Sequence, residues 1–322
     1  MCQLNSGRDT SGPNELSFSD RTGFFAESPN FLYYFCLVKH EAFNISSSGN
    51  MIFHVRKWMP EDKPAGIILL IHGLADHGGR FDHVGRFFAE KGFLFIAPDL
   101  RGNGKSSGRR GHFESMLQVH EDIRFFLKTI RTQLDGIPAF LYGQSMGGNL
   151  VLNYALNPQY KLAGIISSSP WLRLAYPPNP IARGIGTVLS RLFPGMIISN
   201  GINPNDLCHD QDVNNRYKND PLVHGRISLN TFRIVEASGR EIISKASLLK
   251  MPVLLMHGNK DRITSFEASR ILGEGAEPMI TFHGWDDLYH ELHNEPCKDQ
   301  ILHFVLTWIN SIITNKLTSY EA

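Results

Sequence analysis

The run Gly143-Gln144-Ser145-Met146-Gly147, followed by Gly148, sets a serine between two glycines at fixed spacing. This G-x-S-x-G pattern suits a tight strand-to-helix turn with an exposed hydroxyl. A side chain at either flanking glycine would collide with neighbouring backbone. The context fits: the apolar segment 139–143 reads as a strand, and 149–156 as a short helix. A serine hydroxyl is a weak nucleophile at neutral pH. It needs a base within hydrogen-bond reach and a carboxylate to orient that base. In this arrangement the carboxylate and then the histidine follow the serine along the chain. Asp261 lies in His257-Gly-Asn-Lys-Asp-Arg262, just past the apolar strand 252–256, where a loop beyond a strand's C-terminal end would face the turn.

The base is expected after the next strand, 278–282, and the candidates are His283, His290 and His293. His283 comes directly off that strand. His290, in the loop leading into the last helix, is favoured. His293 is expected to pack or to make a supporting hydrogen bond. Asp286 and Asp287 are alternative carboxylates, but they lie so near His290 in sequence that the geometry is less natural. A tetrahedral intermediate needs main-chain N–H donors. Met146, directly after the serine, would supply one. Leu74, in the loop His72-Gly73-Leu74-Ala-Asp-His-Gly-Gly-Arg80-Phe81, would supply the other.

Other chemistries fit less well. The spacing of His72, Asp76, His77 and His83 matches no helical i, i+4 ligand pair flanking a general base. The segment Gly102-Asn-Gly104-Lys-Ser106 lacks the full phosphate-loop spacing and reads as a turn. No metal or organic cofactor is expected.

The elements that must carry these residues alternate. An antiparallel hairpin is expected over residues 41–59. The apolar run 67–71 suits a strand buried on both faces, and further strands are expected at 93–99, 139–143, 162–166, 252–256 and 278–282. Helical spacing between them, as in 81–91 and 120–134, predicts a mostly parallel sheet with helices on both sides. The rhythm breaks between residues 171 and 227, a stretch rich in Pro, Gly, Asn and Asp, which reads as an inserted cap or lid. The expected organisation is a flexible segment over 1–29, a core formed by 30–170 and 228–322, and the cap.

The 322 residues suffice for one large α/β core. With 42% hydrophobic residues and a net charge of +1, the chain fits neither a disordered protein nor a nucleic-acid binder. Cys2, Cys36, Cys208 and Cys297 form no CxxC pair, which fits a reducing compartment. The start is polar, without a signal-peptide core, and no apolar run is long enough to span a bilayer. A cytoplasmic address follows, with peripheral membrane contact. The apolar run 31–38 is expected to pack on the core, or else to form a surface patch.

Together the motifs resemble the α/β-hydrolase superfamily, in its monoacylglycerol lipase and lysophospholipase branch of serine aminopeptidase-like hydrolases. The matching segments are 71–81, 98–106, 143–148, 220–222, 258–262 and 289–293, in the family's order. The resemblance implies Ser145 as nucleophile, Asp261 as orienting acid and His290 as base, in agreement with the reading above. It departs at Gln144 and Asn103, where the family often has histidine. It says nothing of the residues before about 40.

The expected activity is cleavage of a monoacylglycerol-type ester through an acyl-enzyme, releasing fatty acid and glycerol. The nearest alternative is a lysophospholipase, which would want a cation such as Arg80, Arg109, Arg173 or Arg183 for the phosphate. An acyltransferase or thioesterase could use the same triad. The expected partner is a lipid-like ester, with transient membrane contact through the cap. That cap offers apolar residues at helical spacing, among them Ile181, Ile185, Val188 and Leu192.

Overall fold

The computed structural model describes residues 38–47, 49–131 and 136–318. The flexible segment expected over 1–29, the run 31–37, Cys2 and Cys36 lie outside the described residues. In chain order the elements are β1 (Lys39–Ser46), β2 (Ile52–Met59), β3 (Gly66–Ile71), α1 (Asp82–Glu90), β4 (Phe93–Pro98), α2 (Met116–Arg131), β5 (Ala139–Gln144), α3 (Met146–Leu156) and β6 (Gly164–Ser168). There follow α4 (Pro180–Leu192), β7 (Ile197–Ser199), α5 (Gln211–Asn219), β8 (Arg226–Ser228), α6 (Leu229–Ser244), β9 (Val253–Gly258), α7 (Phe266–Glu274), β10 (Ile280–Trp285) and α8 (Lys298–Thr318).

The main sheet runs β1-β2-β4-β3-β5-β6-β9-β10. The hairpin β1–β2 pairs antiparallel and docks antiparallel on β4, and every other neighbouring pair is parallel. Strands β3, β4, β5, β6 and β9 are buried at every position, as their unbroken apolar runs require. Because side chains alternate across a strand, each strand feeds two cores. Leu69, Leu141, Ile165 and Leu255 pack on one face with Ile123, Leu150 and Val235 from α2, α3 and α6. Leu70, Tyr142, Ile166 and Leu254 pack on the other with Val84 and Phe88 of α1 and Ile301, Val305 and Trp308 of α8. Each such aliphatic side chain contributes roughly 1.5–3 kcal/mol on burial.

The sheet order also marks a switch point. From β3 the chain passes to β4 on one side, and it later returns to β5 on the other. The helices that follow β3 and β5 accordingly pack on opposite faces of the sheet, α1 on one and α3 on the other.

Several element boundaries differ from expectation, α2 beginning at Met116 rather than 120 and β6 at Gly164 rather than 162, and two of the differences bear on the site. The last strand begins at Ile280 rather than 278 and continues to Trp285. Its parallel ladder with β9 runs on through Trp285 and Gly258, so His283 lies inside the strand, with its ring 4.6 Å from that of Phe304. Helix α3 begins at Met146, directly after the serine, rather than at 149.

Within the stretch 171–227, α4 is capped by Asn179, whose side chain accepts from the Ala182 N–H, with Pro180 at the first helical position. Its apolar stripe Ile181, Ile185, Val188 and Leu192 is exposed, with Ile181 at 77%. The short strands β7 and β8 pair antiparallel. Among the described residues, no helix is long and apolar enough to cross a membrane.

Candidate active site

Ser145 sits at the end of β5 with φ 57° and ψ −119°. A non-glycine residue here is strained by about 1–3 kcal/mol and persists only when its surroundings fix it. They do so on several sides. The Ser145 N–H donates to the Ser168 carbonyl at 2.9 Å, and the Ser145 carbonyl accepts from Trp171 at 3.0 Å and Asn149 at 3.1 Å. The glycines follow from contact. A Cβ on Gly147 would overlap the Ile71 carbonyl oxygen, and one on Gly143 the Gly147 carbonyl oxygen.

The loop after β3 comes up against this turn. A Cβ on Gly73 would stand 3.3 Å from the Ser145 Cβ and 2.6 Å from Gln144 Oε1. His72 holds the loop: its Nδ1 donates to the Gly73 carbonyl at 2.8 Å, and its Nε2 accepts from the Leu100 N–H at 2.9 Å. Complete burial pushes its pKa down, which suits the neutral ring this pattern needs. The C=O and N–H of a trans peptide point opposite ways. Pinning the Gly73 carbonyl therefore turns the Leu74 N–H to the other side. Met146 is the first residue of α3, where an N–H has no partner inside the helix.

Asp261 and His290 meet, although 29 residues separate them: His290 Nδ1 donates to Asp261 Oδ2 at 2.7 Å. The same oxygen lies 3.0 Å from His257 Nε2 and 2.9 Å from the Thr264 hydroxyl. Asp261 Oδ1 accepts from the N–H groups of Ile263 at 2.7 Å and Thr264 at 3.0 Å. Burial alone would raise this carboxyl's pKa. The charge of His290 and the hydrogen bonds from His257 and His290 outweigh it and hold Asp261 far below the usual carboxylate range. For His290, burial lowers the pKa, but the Asp261 charge and hydrogen bond prevail and raise it. With Nδ1 donating, Nε2 is the basic nitrogen.

The other candidates are occupied elsewhere. His293 stacks on Phe81 at 4.3 Å and lies 3.2 Å from Asn294 Nδ2, and burial pushes its pKa down to about 3. Asp286 accepts from Asn259 at 2.8 Å, at the surface. His77 pairs with Asp220, and His83 donates to the His293 carbonyl. Of the departures from the family pattern, Asn103 accepts from His224 at 3.0 Å, and Gln144 packs its Oε1 against Gly73.

Several supporting residues were not assigned roles from sequence. Asn149, one turn beyond Ser145, donates to the carbonyls of Trp171 at 2.7 Å and Val235 at 3.2 Å, and accepts from Ser238. Glu295, fully buried, accepts from the Tyr289 N–H at 2.7 Å and from His209 at both its N–H and Nδ1. Glu291 grips Arg80 through two bonds, at 2.6 and 2.8 Å, while its N–H donates to the Leu207 carbonyl at 2.7 Å. Arg80 also reaches Asp76 at 3.0 Å and lies over the Tyr217 ring. The loop carrying His290 is thereby tied to segment 207–209. The four-residue spacing of His257 and Asp261 was visible in the sequence. The long-range partners of Glu295 and Asn149 left no local signal.

A mainly parallel sheet with helices on both faces, a strained serine at the strand-to-helix turn and a buried Asp–His pair define an α/β-hydrolase. Comparison with known proteins takes this one step further. The family model described as "Serine aminopeptidase, S33" matches residues 62–297, and the chain belongs to that family. It is 32% identical over 256 residues to a monoacylglycerol lipase of Mycolicibacterium smegmatis, covering 79% of this chain and 91% of that protein. It is 37% identical over 275 residues to an uncharacterised abhydrolase domain-containing protein of Dictyostelium discoideum, covering 84% of this chain but only 29% of that longer protein. The crystal structure of Paleococcus ferrophilus monoacylglycerol lipase superposes with a TM-score of 0.73 at 31% identity, covering 84% of this chain and 99% of that one. The chain is a carboxylic ester hydrolase of the monoacylglycerol lipase branch.

Proposed function

We propose that the chain hydrolyses monoacylglycerol-type lipids through a Ser145–His290–Asp261 triad. The observation that carries this reading is the 2.7 Å bond from His290 to Asp261, made at the same sheet edge as the strained Ser145 turn. Ser145 Oγ attacks the ester carbonyl carbon while His290 Nε2 takes its proton. The oxyanion is met by the N–H groups of Leu74 and Met146. The tetrahedral species collapses, and the glycerol-type alcohol leaves with the proton from His290. Water, deprotonated by His290, then attacks the acyl-enzyme, and the fatty acid departs as the Ser145 hydroxyl is restored. Asp261 remains ionised throughout, which its lowered pKa favours.

Residues 171–227 serve as the cap over the acyl chain, and the exposed stripe on α4 meets the lipid surface from which substrate is drawn. Of the cations considered for a phosphate, Arg80 is already met by two carboxylates, Asp76 and Glu291, which counts against its holding a phosphate head group. The test is fatty-acid release from monoolein and from lysophosphatidylcholine, side by side, with Ser145→Ala as control. Preference for monoolein that is absent in the variant supports the reading. Preference for the lysophospholipid makes the chain a lysophospholipase. Activity surviving in the variant removes Ser145 from the mechanism.

A further inference from the structure

The exposed apolar face of the cap carries a one-sided charge. From Trp171 to Asn205 the sequence contains Arg173, Arg183 and Arg191 and no aspartate or glutamate, although the whole chain is nearly neutral at +1. Arg191 is exposed on α4, flanking the stripe Ile181–Ile185–Val188–Leu192. The apolar surface continues past the helix through Phe193, Met196 and Ile198, all exposed.

Two more arginines, from distant parts of the chain, reach the same place. A Cβ on Gly195 would stand 2.5 Å from Arg109 Nη1, so the Arg109 guanidinium lies against the backbone that links α4 to β7. Arg226 on β8 is paired in register with Ser199, next to Ile198 on β7. Arg109 and Arg226 are exposed, as Arg191 is. None of the three is in an ion pair with a carboxylate of the described residues.

We propose that this face docks on an anionic lipid bilayer, with the stripe of α4 and Phe193, Met196 and Ile198 entering the interface while Arg109, Arg191 and Arg226 meet the lipid phosphates. The inference rests on the membrane contact proposed above and adds the charge of the surface that is chosen. Apolar area alone would bind neutral and anionic membranes alike. Unpaired cations around its rim make the distinction, because basic residues near an anionic leaflet add attraction roughly in proportion to their number. Long arginine side chains can keep their heads at the phosphate level while their stems lie along the apolar rim.

The test is flotation of the full chain with vesicles of phosphatidylcholine alone and of phosphatidylcholine mixed with phosphatidylglycerol. Binding to the mixed vesicles should be about a hundredfold tighter for three arginines at low salt, and the preference should shrink as salt is raised. The combined variant Arg109→Glu, Arg191→Glu, Arg226→Glu should lose the preference while hydrolysing a soluble short-chain ester as the parent does. The pair Ile185→Ser, Leu192→Ser should weaken binding to both kinds of vesicle. Equal binding to both by the parent chain, or a preference retained in the arginine variant, overturns the inference and leaves the membrane contact standing. No binding to either overturns both. Because flotation needs no turnover, and is repeated with Ser145→Ala, the result is independent of the substrate assignment.

Discussion

Every residue of β5 is buried, and Ser145 at its end is held by neighbours on three sides; along α4, Ile181, Ile185, Val188 and Leu192 face solvent. Both segments are apolar in sequence. The first is apolar because it is enclosed between two layers of helices. The second is apolar while packing only one side of its helix on the protein. Apolar periodicity thus reports a preference for leaving water, and the partner that permits it has to be read from the fold. In the core that partner is protein. For the cap the proposed partner is lipid.

This contrast is sharpest in how the two regions answer substitution. Ser145→Ala should cut kcat by about 10⁴–10⁶ on every ester while the melting temperature stays put, read by turnover and thermal unfolding in parallel. Asp261→Asn should follow with a loss of about 10⁴, since the amide no longer enforces the His290 tautomer. It should also move the acid limb of the kcat/KM profile. In the parent the raised His290 pKa should place that limb above the ordinary histidine value, because a general base works only when neutral. Removing the Asp261 charge should shift whatever activity remains toward lower pH.

Next in size is the clasp on the His290 loop. Glu295→Ala should lower kcat by about a hundredfold with a smaller change in KM, as expected when a base is displaced by an ångström or so. Glu295→Gln keeps an acceptor for the Tyr289 N–H and should recover part of the loss. Equal, small effects from both would mean that the loop holds itself. Smaller again is the cap: Ile185→Ser with Leu192→Ser should slow hydrolysis of vesicle-borne monoolein up to about tenfold and leave a soluble short-chain ester unaffected. Loss on both substrates would mean that α4 supports the core after all.

The smallest effect concerns pH and stability. Burial lowers the pKa of His293 to about 3 and of His224 to about 4, so both rings stay neutral in the folded chain. An unfolded chain takes up these protons below about pH 6.5. Stability is therefore full above that value and declines as pH falls toward the folded values. His224→Gln should flatten the drop in melting temperature between about pH 7 and pH 5, measured by calorimetry.

Much of this arrangement was legible in the sequence. The strands of the core announced themselves by unbroken apolar runs, and the serine by glycines whose absent side chains make room for backbone. The meeting of Asp261 with His290 was foreshadowed by chain order, because loops beyond the C-terminal ends of parallel strands gather at one edge. Glu295 and Asn149 escaped because buried polar side chains are placed by partners far along the chain, and a lone Glu or Asn has no period. The end of β10 was misjudged for a related reason. His283 and Trp285 do not look like a strand by themselves, but pairing with β9 and packing on α8 carries the strand through them.

Asn149 has a further consequence. Its one side-chain amide grips the chain where it leaves the sheet, at Trp171, and again after it has returned, at Val235. About sixty residues lie between those points. The entropy lost on closing a loop grows only with the logarithm of its length, about 0.6 kcal/mol for each doubling. With the two ends fastened together beside Ser145, lengthening, shortening or recomposing what lies between them should change the stability of the sheet very little. The molecule is in this sense a fixed chemical floor with an exchangeable cover, and one asparagine marks the seam.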